Sequence, residues 1–168
     1  MNIITLDPGW LGGNYHINPT AGVTAALMSM SPWWTTKQWY LRKVNSHASH
    51  KAWEKALRDY WIFQRPQDGR DLYYQLQLWA DYDVGATPGF DGDTRAALES
   101  ITAKTLLIAF RDDLMVRREE MILAGDSIPN ATYLEIESTL GHSASTGSDP
   151  QALAEMERAI VKFLADLE

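Results

Sequence analysis

The chain has 168 residues, of which 45% are hydrophobic and 22% are charged, a composition typical of a globular protein with a domain-sized core. Its net charge of -7 argues against nucleic acid or an anionic membrane as a primary partner, because both are bound through Lys and Arg patches. The absence of cysteine excludes disulfides, thiolate zinc sites and a cysteine nucleophile. The sequence shows no signal-like or membrane-spanning segment, so we expect a cytoplasmic protein.

The first half of the sequence predicts a helical region that is rich in aromatic residues. All seven tryptophans precede residue 80, and we interpret them as core residues or as a surface that lines a pocket or pairs with another subunit. After a turn-rich loop at residues 7–20, apolar residues at helical spacing predict helices at residues 21–30, 51–63 and 72–82. A stretch rich in Gly, Pro and Asp at residues 85–93 predicts a boundary between two domains, 1–93 and 94–168.

The second half predicts strands that alternate with helices. Two short apolar runs, Thr105–Phe110 and Ala131–Ile136, are bounded by polar turns, which is typical of buried strands in a parallel sheet. Helices are predicted at residues 94–100, 118–124 and 151–167. This order indicates an α/β protein. Because two parallel strands do not form a stable sheet alone, we expect residues 94–168 to be the edge of a larger sheet.

Polar loops follow both predicted strands. Asp112 and Asp113 come after the first strand, and Gly141 and His142 come after the second. Loops that follow adjacent parallel strands meet at the carboxyl edge of a sheet, so we expect these two loops to lie side by side. A histidine that takes a proton from a hydroxyl, oriented by a carboxylate, forms the last two members of a Ser–His–Asp triad. Taken separately, an aspartate after a strand is usually a turn or helix-cap residue, and a Gly-His pair usually belongs to an ordinary loop.

Three motifs together resemble the homoserine O-acetyltransferase-like α/β-hydrolases. Residues 7–15 (DPGWLGGNY) are similar to the segment that opens the lid of that family. Residues 111–115 (RDDLM) resemble the loop that holds its catalytic aspartate, and residues 128–137, followed by Gly141 and His142, resemble its final strand and histidine loop. The resemblance covers essentially the whole chain.

The resemblance implies an α/β-hydrolase fold, of which residues 1–93 form the helical lid and residues 94–168 the C-terminal edge of the core. It makes Asp112 the triad acid and His142 the general base of a serine ester hydrolase or O-acetyltransferase. The nucleophilic serine would come from an N-terminal half of the fold, which has no counterpart here and is therefore an expected partner. The other implied partners are a small-molecule ester or acyl donor and a second copy of the chain, bound through the lid.

The resemblance implies no cofactor, and acyl-CoA would be a co-substrate only if the enzyme is a transferase. Acetyltransferases of the family usually carry an acidic residue after the catalytic histidine, where this sequence has Ser143. The difference favours ester hydrolysis, or another acyl transfer, over acetylation of homoserine.

Other interpretations of the sequence stay open. Residues 141–145 (GHSAS) nearly spell the G-x-S-x-G nucleophile elbow, but Ser145 stands where the elbow needs glycine and no strand runs straight into the turn. His47 and His50 form an H-x-x-H pair that lacks a third metal ligand nearby. The protein could also be a non-catalytic helical interaction module, or an inactive fragment, in which the Asp and His residues are incidental.

Overall fold

The structure, a computed structural model, describes residues 2–167, without the side chains of Asn2 and Trp61. Met1 and Glu168, the outer ends of the two predicted domains, therefore lie outside the described residues. The same holds for the side chain of Trp61, one of the seven tryptophans of the predicted helical region. In chain order the elements are helices α1 (Asn2–Thr5), α2 (Thr20–Trp34), α3 (Lys37–Asn45), α4 (His50–Asp59), α5 (Gly69–Asp81) and α6 (Thr94–Glu99), strand β1 (Thr105–Phe110), helix α7 (Arg118–Ser127), strand β2 (Ala131–Ile136) and helix α8 (Pro150–Ala165). A π-helical turn, Tyr60–Gln64, extends α4, and 3₁₀ turns occupy Leu11–Gly13, Val84–Ala86 and Gly141–Thr146.

Both strands have the predicted bounds, and each predicted helix is present within a few residues. The main difference in length is α2, which continues through Pro32. Proline has no N–H and cannot bond the carbonyl four residues earlier, which is that of Met28. The Ser31 hydroxyl donates to this carbonyl at 2.6 Å instead, and the helix runs on to Trp34.

The chain divides into two compact units. The first comprises Met1–Pro32 and Tyr40–Tyr82, and the second comprises Trp33–Trp39 and Asp83–Glu168. The boundary between residues 93 and 94 was drawn on composition and stays a prediction. Among residues 2–167, no helix has the length and apolar character needed to cross a bilayer.

In the first unit, polar side chains fix the loop that precedes α2. The Asp7 carboxylate accepts from the N–H groups of Gly9 at 2.8 Å and Gly22 at 2.6 Å. The Tyr15 hydroxyl donates to Asp68, the N-cap residue of α5, at 2.7 Å. Gly22 has to be glycine, because a Cβ there would lie 2.7 Å from the Asp7 Cβ. Several residues of the 7–15 motif therefore have structural roles.

The contact between Tyr15 and Asp68 predicts a dependence of stability on pH. The Tyr15 hydroxyl, and after it the Arg70 guanidinium, lower the pKa of Asp68 from 3.8 to about 2. A carboxyl group whose pKa is lower in the folded state stabilises the fold above its unfolded pKa, and this stabilisation disappears as the pH falls from 3.8 to about 2. We expect Tyr15→Phe to reduce the loss of unfolding free energy over this range, measured by urea denaturation, whereas Tyr74→Phe should leave it unchanged. The effect should be small, because solvent screens the half-exposed carboxylate.

In the second unit, β1 and β2 pair in parallel, with Thr105 opposite Ala131 and Phe110 opposite Ile136. A core of Phe110, Ile136, Ala144 and Ala152 lies beneath the ends of the two strands. Residues 105–108 of β1 are only partly buried in the described chain, whereas Ala109 and Phe110 are buried. A sheet of two strands has too little surrounding structure to cover both faces.

Candidate functional site

The loop after β1 directs Asp113 into the interior of the second unit. Its N–H donates to the Phe110 carbonyl at 3.0 Å, which forms a tight turn directly after the strand. Its Oδ1 accepts from the N–H groups of Met115 at 2.7 Å and Val116 at 2.9 Å, and the side chain is only 4% exposed. These bonds hold the carboxylate in one orientation and leave Oδ2 for another partner.

That partner is His142, in the 3₁₀ turn that follows β2. Its Nδ1 lies 2.9 Å from Asp113 Oδ2. An ionised carboxylate can only accept a hydrogen bond, so Nδ1 carries the proton and Nε2 of the neutral ring has a free lone pair. The His142 side chain is 29% exposed, and within residues 2–167 no group forms a hydrogen bond with Nε2. An imidazole with its Nδ1 proton held in this way is chemically able to accept a proton at Nε2.

The structure confirms that the two loops lie side by side, but it corrects the carboxylate. Asp112, the residue predicted to hold the imidazole, forms no hydrogen bond or ion pair with His142. Its side chain is 43% exposed and lies 3.7 Å from the Arg111 guanidinium. Because the turn begins directly after Phe110, the side chain that points inward is that of Asp113, one position later than the motif match placed it.

Gly141 allows the two loops to approach each other. Its φ is +54°, a left-handed conformation that side chains with a Cβ disfavour. A Cβ at this position would also lie 3.0 Å from the Asp112 carbonyl oxygen. Glycine is therefore required here both by the backbone conformation and by the space available.

Replacing Gly141 with alanine should weaken this approach, and Gly147 provides a matched control in the same loop. Gly147 also has a positive φ, of +78°, but a Cβ there would make only an ordinary contact, 3.6 Å from Leu153. We expect Gly147→Ala to lower the unfolding free energy by about 1–2 kcal/mol, the cost of the left-handed backbone. Gly141→Ala should cost about 1–3 kcal/mol more, because the neighbouring carbonyl has to move. Urea denaturation of both variants measures the difference, and equal losses would contradict the close approach.

Hydrogen bonds at its two ends close the histidine loop. The Ser138 hydroxyl donates to Asp149 Oδ2 at 2.7 Å, and Asp149 Oδ1 caps α8 by accepting from the N–H groups of Gln151 and Ala152. The Ser138 hydroxyl, followed by the Ala152 N–H, lowers the pKa of the Asp149 carboxyl. The loop that carries His142 thus starts and ends at fixed points.

An open cavity of about 610 Å³ borders the aspartate loop. Its lining includes Asp112, Asp113, Lys37 and Arg111, but not His142. Arg111 pairs with Glu137, so the charges at the rim are partly balanced.

The alternative site residues have other roles in the structure. The Ser143 hydroxyl donates to the Trp34 carbonyl at 2.9 Å and forms no hydrogen bond with the imidazole. The His47 Nδ1 donates to the Lys43 carbonyl at 2.7 Å, and its ring packs edge-on against Trp53. In the described part of the chain, no group of three or more side chains could hold a metal ion.

No family model matches the chain. It is 25% identical over 168 residues to the ethyl acetate hydrolase of Pseudomonas veronii, with 96% of this chain and 47% of that protein covered. It is 27% identical over 159 residues to the homoserine O-acetyltransferase of Nostoc punctiforme, with 84% and 42% covered. The structure of the acetyl esterase MekB matches with a TM-score of 0.82 and 22% identity, over 98% of this chain and 48% of that one.

These matches confirm the resemblance to the homoserine O-acetyltransferase-like α/β-hydrolases, and they confirm the fold class. The chain spans about half the length of the relatives it matches. Its helices and two parallel strands are consistent with the lid and the C-terminal part of the α/β-hydrolase fold.

Proposed function

We propose that this chain supplies His142 and Asp113 to the Ser–His–Asp triad of an acyl-transfer enzyme, a serine ester hydrolase or O-acetyltransferase. The observation that carries the proposal is the 2.9 Å hydrogen bond between His142 Nδ1 and the buried Asp113 carboxylate. Hydrogen-bonded histidine and aspartate side chains also occur in structural roles. Similarity over nearly the whole chain to proteins named as a hydrolase and an acetyltransferase supports the catalytic role.

The chemistry follows from the free Nε2 atom. His142 would take the proton of a serine hydroxyl as that oxygen attacks the ester carbonyl, and would then donate the proton to the departing alkoxide. A second cycle would use water, or an acceptor alcohol, to release the acyl group from the serine. Asp113 would keep the proton on Nδ1 and stabilise the imidazolium that forms in each cycle.

The nucleophile would come from polypeptide outside this sequence, either on the same longer chain or on a separate one. The engaged hydroxyl of Ser143 supports this, because its proton is directed to the Trp34 carbonyl. The free edge of β1 also supports a missing part of the fold. Residues 105, 107 and 109 of β1 direct their backbone N–H and C=O groups toward β2. Leu106 and Ile108 direct theirs to the opposite edge, where no strand of the described chain pairs with them. That edge suits another parallel strand.

The proposed substrate is a small ester, and the proposed acceptor is water. Ser143 stands where the acetyltransferases that this chain resembles usually have an acidic residue, which makes homoserine a poor acceptor. Hydrolysis of an ester by this triad would need no cofactor. Acyl-CoA would be required only for transfer of its acyl group to an alcohol.

The test is an assay of the longer protein or complex that contains this chain. Ethyl acetate with water, and acetyl-CoA with homoserine, are offered separately, and the release of acetate or CoA is followed. We expect acetate from ethyl acetate and little CoA release. Preferential transfer to homoserine would overturn the choice of acceptor. No turnover of either pair would favour the non-catalytic interaction module.

We further propose that two copies of the chain pair through the outer face of α5. Tyr74 and Leu78 lie one helical turn apart on this helix, Tyr82 follows one turn later, and all three side chains are more than 60% exposed, as is Trp79. Large aromatic side chains are enriched in protein interfaces. Leu78→Glu should convert a dimer to a monomer in sedimentation analysis, whereas Glu54→Gln, on exposed α4 surface, should not. An unchanged mass for Leu78→Glu would overturn the assignment of this face.

A further inference from the structure

We infer that Thr36 is a positioning residue for His142. Thr36 lies in the segment Trp33–Trp39, which comprises the end of α2, the start of α3 and the two residues between them, and belongs to the same compact unit as the two strands. We call this segment the strap. The inference rests on the proposed function, because the position of the imidazole affects turnover only if His142 is catalytic.

The Thr36 hydroxyl joins the start of a helix to the histidine loop. It accepts from the Trp39 N–H at 3.1 Å, as the N-cap of α3, and it donates to the Thr139 carbonyl at 2.6 Å. Thr36 is buried, and Thr139 lies three residues before His142. One hydroxyl therefore uses both its donor and its acceptor capacity to tie the loop to the strap.

A second bond holds the loop on the other side of the histidine. The Ser143 hydroxyl donates to the Trp34 carbonyl, which also belongs to the strap, at 2.9 Å. Between the two bonds, a Cβ on Gly141 would lie 3.5 Å from the Thr36 nitrogen, so the backbone there runs close against the strap. Hydrogen bonds thus hold the loop at Thr139 and at Ser143, on either side of His142, and the backbone at Gly141 lies close to the strap.

This anchoring matters because hydrogen bonding fixes the imidazole at one ring nitrogen only. Within residues 2–167, the only hydrogen bond of the His142 side chain is the one to Asp113. The place of Nε2 is therefore set by that bond and by the path of the loop backbone. A shift of about 1 Å in a reacting group can cost about 100-fold in rate, so a loosened loop should slow the chemical step more than it weakens substrate binding.

Kinetics of the assembled enzyme test the inference. Thr36→Val keeps the shape of the side chain but removes the hydroxyl, and it should lower kcat about tenfold or more with KM changed less than about twofold. Thr36→Ser keeps the hydroxyl and should restore most of kcat. Ser49→Ala is the matched control, since Ser49 caps α4 in the same way and forms no hydrogen bond with the histidine loop. An equal loss in Thr36→Ser and Thr36→Val, or a change in KM alone, would overturn the inference.

A spectroscopic readout on the full chain separates failure of the inference from failure of the proposed function. Proton exchange at His142 Nδ1 can be followed by NMR after ¹⁵N-labelling of histidine. We expect slow exchange in the parent protein, in Thr36→Ser and in Ser49→Ala, and faster exchange in Thr36→Val. Ser143→Ala, which removes the other bond and no helix cap, should also exchange faster, and it serves if Thr36→Val does not fold. If Thr36→Val and Ser143→Ala exchanged this proton as slowly as the parent protein, the inference that the strap positions His142 would be overturned. If exchange changed as expected but neither the parent nor any variant turned over an ester, only the proposed function would be overturned.

Discussion

Replacing His142 with alanine is expected to lower kcat of the assembled enzyme by about 10⁴- to 10⁶-fold, because the serine hydroxyl loses the base that accepts its proton. The substitution also leaves the buried Asp113 Oδ2 without its hydrogen bond to the imidazole, which should lower the unfolding free energy, so kcat is expressed per folded protein. Steady-state assays on a small ester measure the loss.

His50→Ala provides the control for the loss of a histidine. His50 is largely exposed and lies 3.4 Å from Glu54 on the surface of α4. Its replacement should leave kcat within about twofold, because exposed pairs of this kind contribute little. If His142→Ala retained more than a tenth of the parent kcat, His142 could not be the general base.

Replacing Asp113 with asparagine is expected to have the second-largest effect, a loss in kcat of about 10⁴-fold, which is typical for this change in serine triads. The carbonyl oxygen of the introduced amide can still accept from the N–H groups of Met115 and Val116, so the loop should keep its shape. The NH₂ group of the amide would then face His142 Nδ1 as a donor and favour the tautomer whose proton is on Nε2. That tautomer cannot accept the proton of a serine hydroxyl.

Asp112→Asn is the matched control, because it makes the same chemical change one residue earlier. The Asp112 carboxylate is part-exposed and forms no hydrogen bond or ion pair with the histidine. Both variants are assayed under the same conditions. Asp112→Asn should keep kcat within about threefold of the parent, whereas Asp113→Asn should not. The reverse order of effects would restore Asp112 as the triad acid.

The parts of the fold that could be predicted from the sequence are those with strong local patterns. Thr105–Phe110 and Ala131–Ile136 are six-residue apolar runs between polar turns, and both form strands with the predicted bounds. Helix α3 (Lys37–Asn45) was not predicted, because three of its four apolar residues are consecutive instead of spaced along one helix face, and none of its residues is buried. The continuation of α2 past Pro32 was not predicted, because proline is expected to end or kink a helix.

The site was predictable to within one residue. The order of the strands was enough to bring the aspartate and histidine loops together, as the contact at Asp113 confirms. The choice between Asp112 and Asp113 depends on the residue at which the turn begins, and adjacent identical residues give no pattern that reveals it. The strap could not be found from the sequence, since Thr36 and Thr139 are 103 positions apart.

The central claim is that His142 and Asp113 activate a serine that lies outside this sequence, and labelling with a fluorophosphonate tests it most directly. The assembled protein is treated with the probe, and the modified serine is located by peptide mass spectrometry. We expect the label on a serine outside residues 1–168, with labelling slowed strongly by Asp113→Asn and little by Asp112→Asn. Label on Ser143, or a labelling rate that neither His142→Ala nor Asp113→Asn changes, would contradict the account.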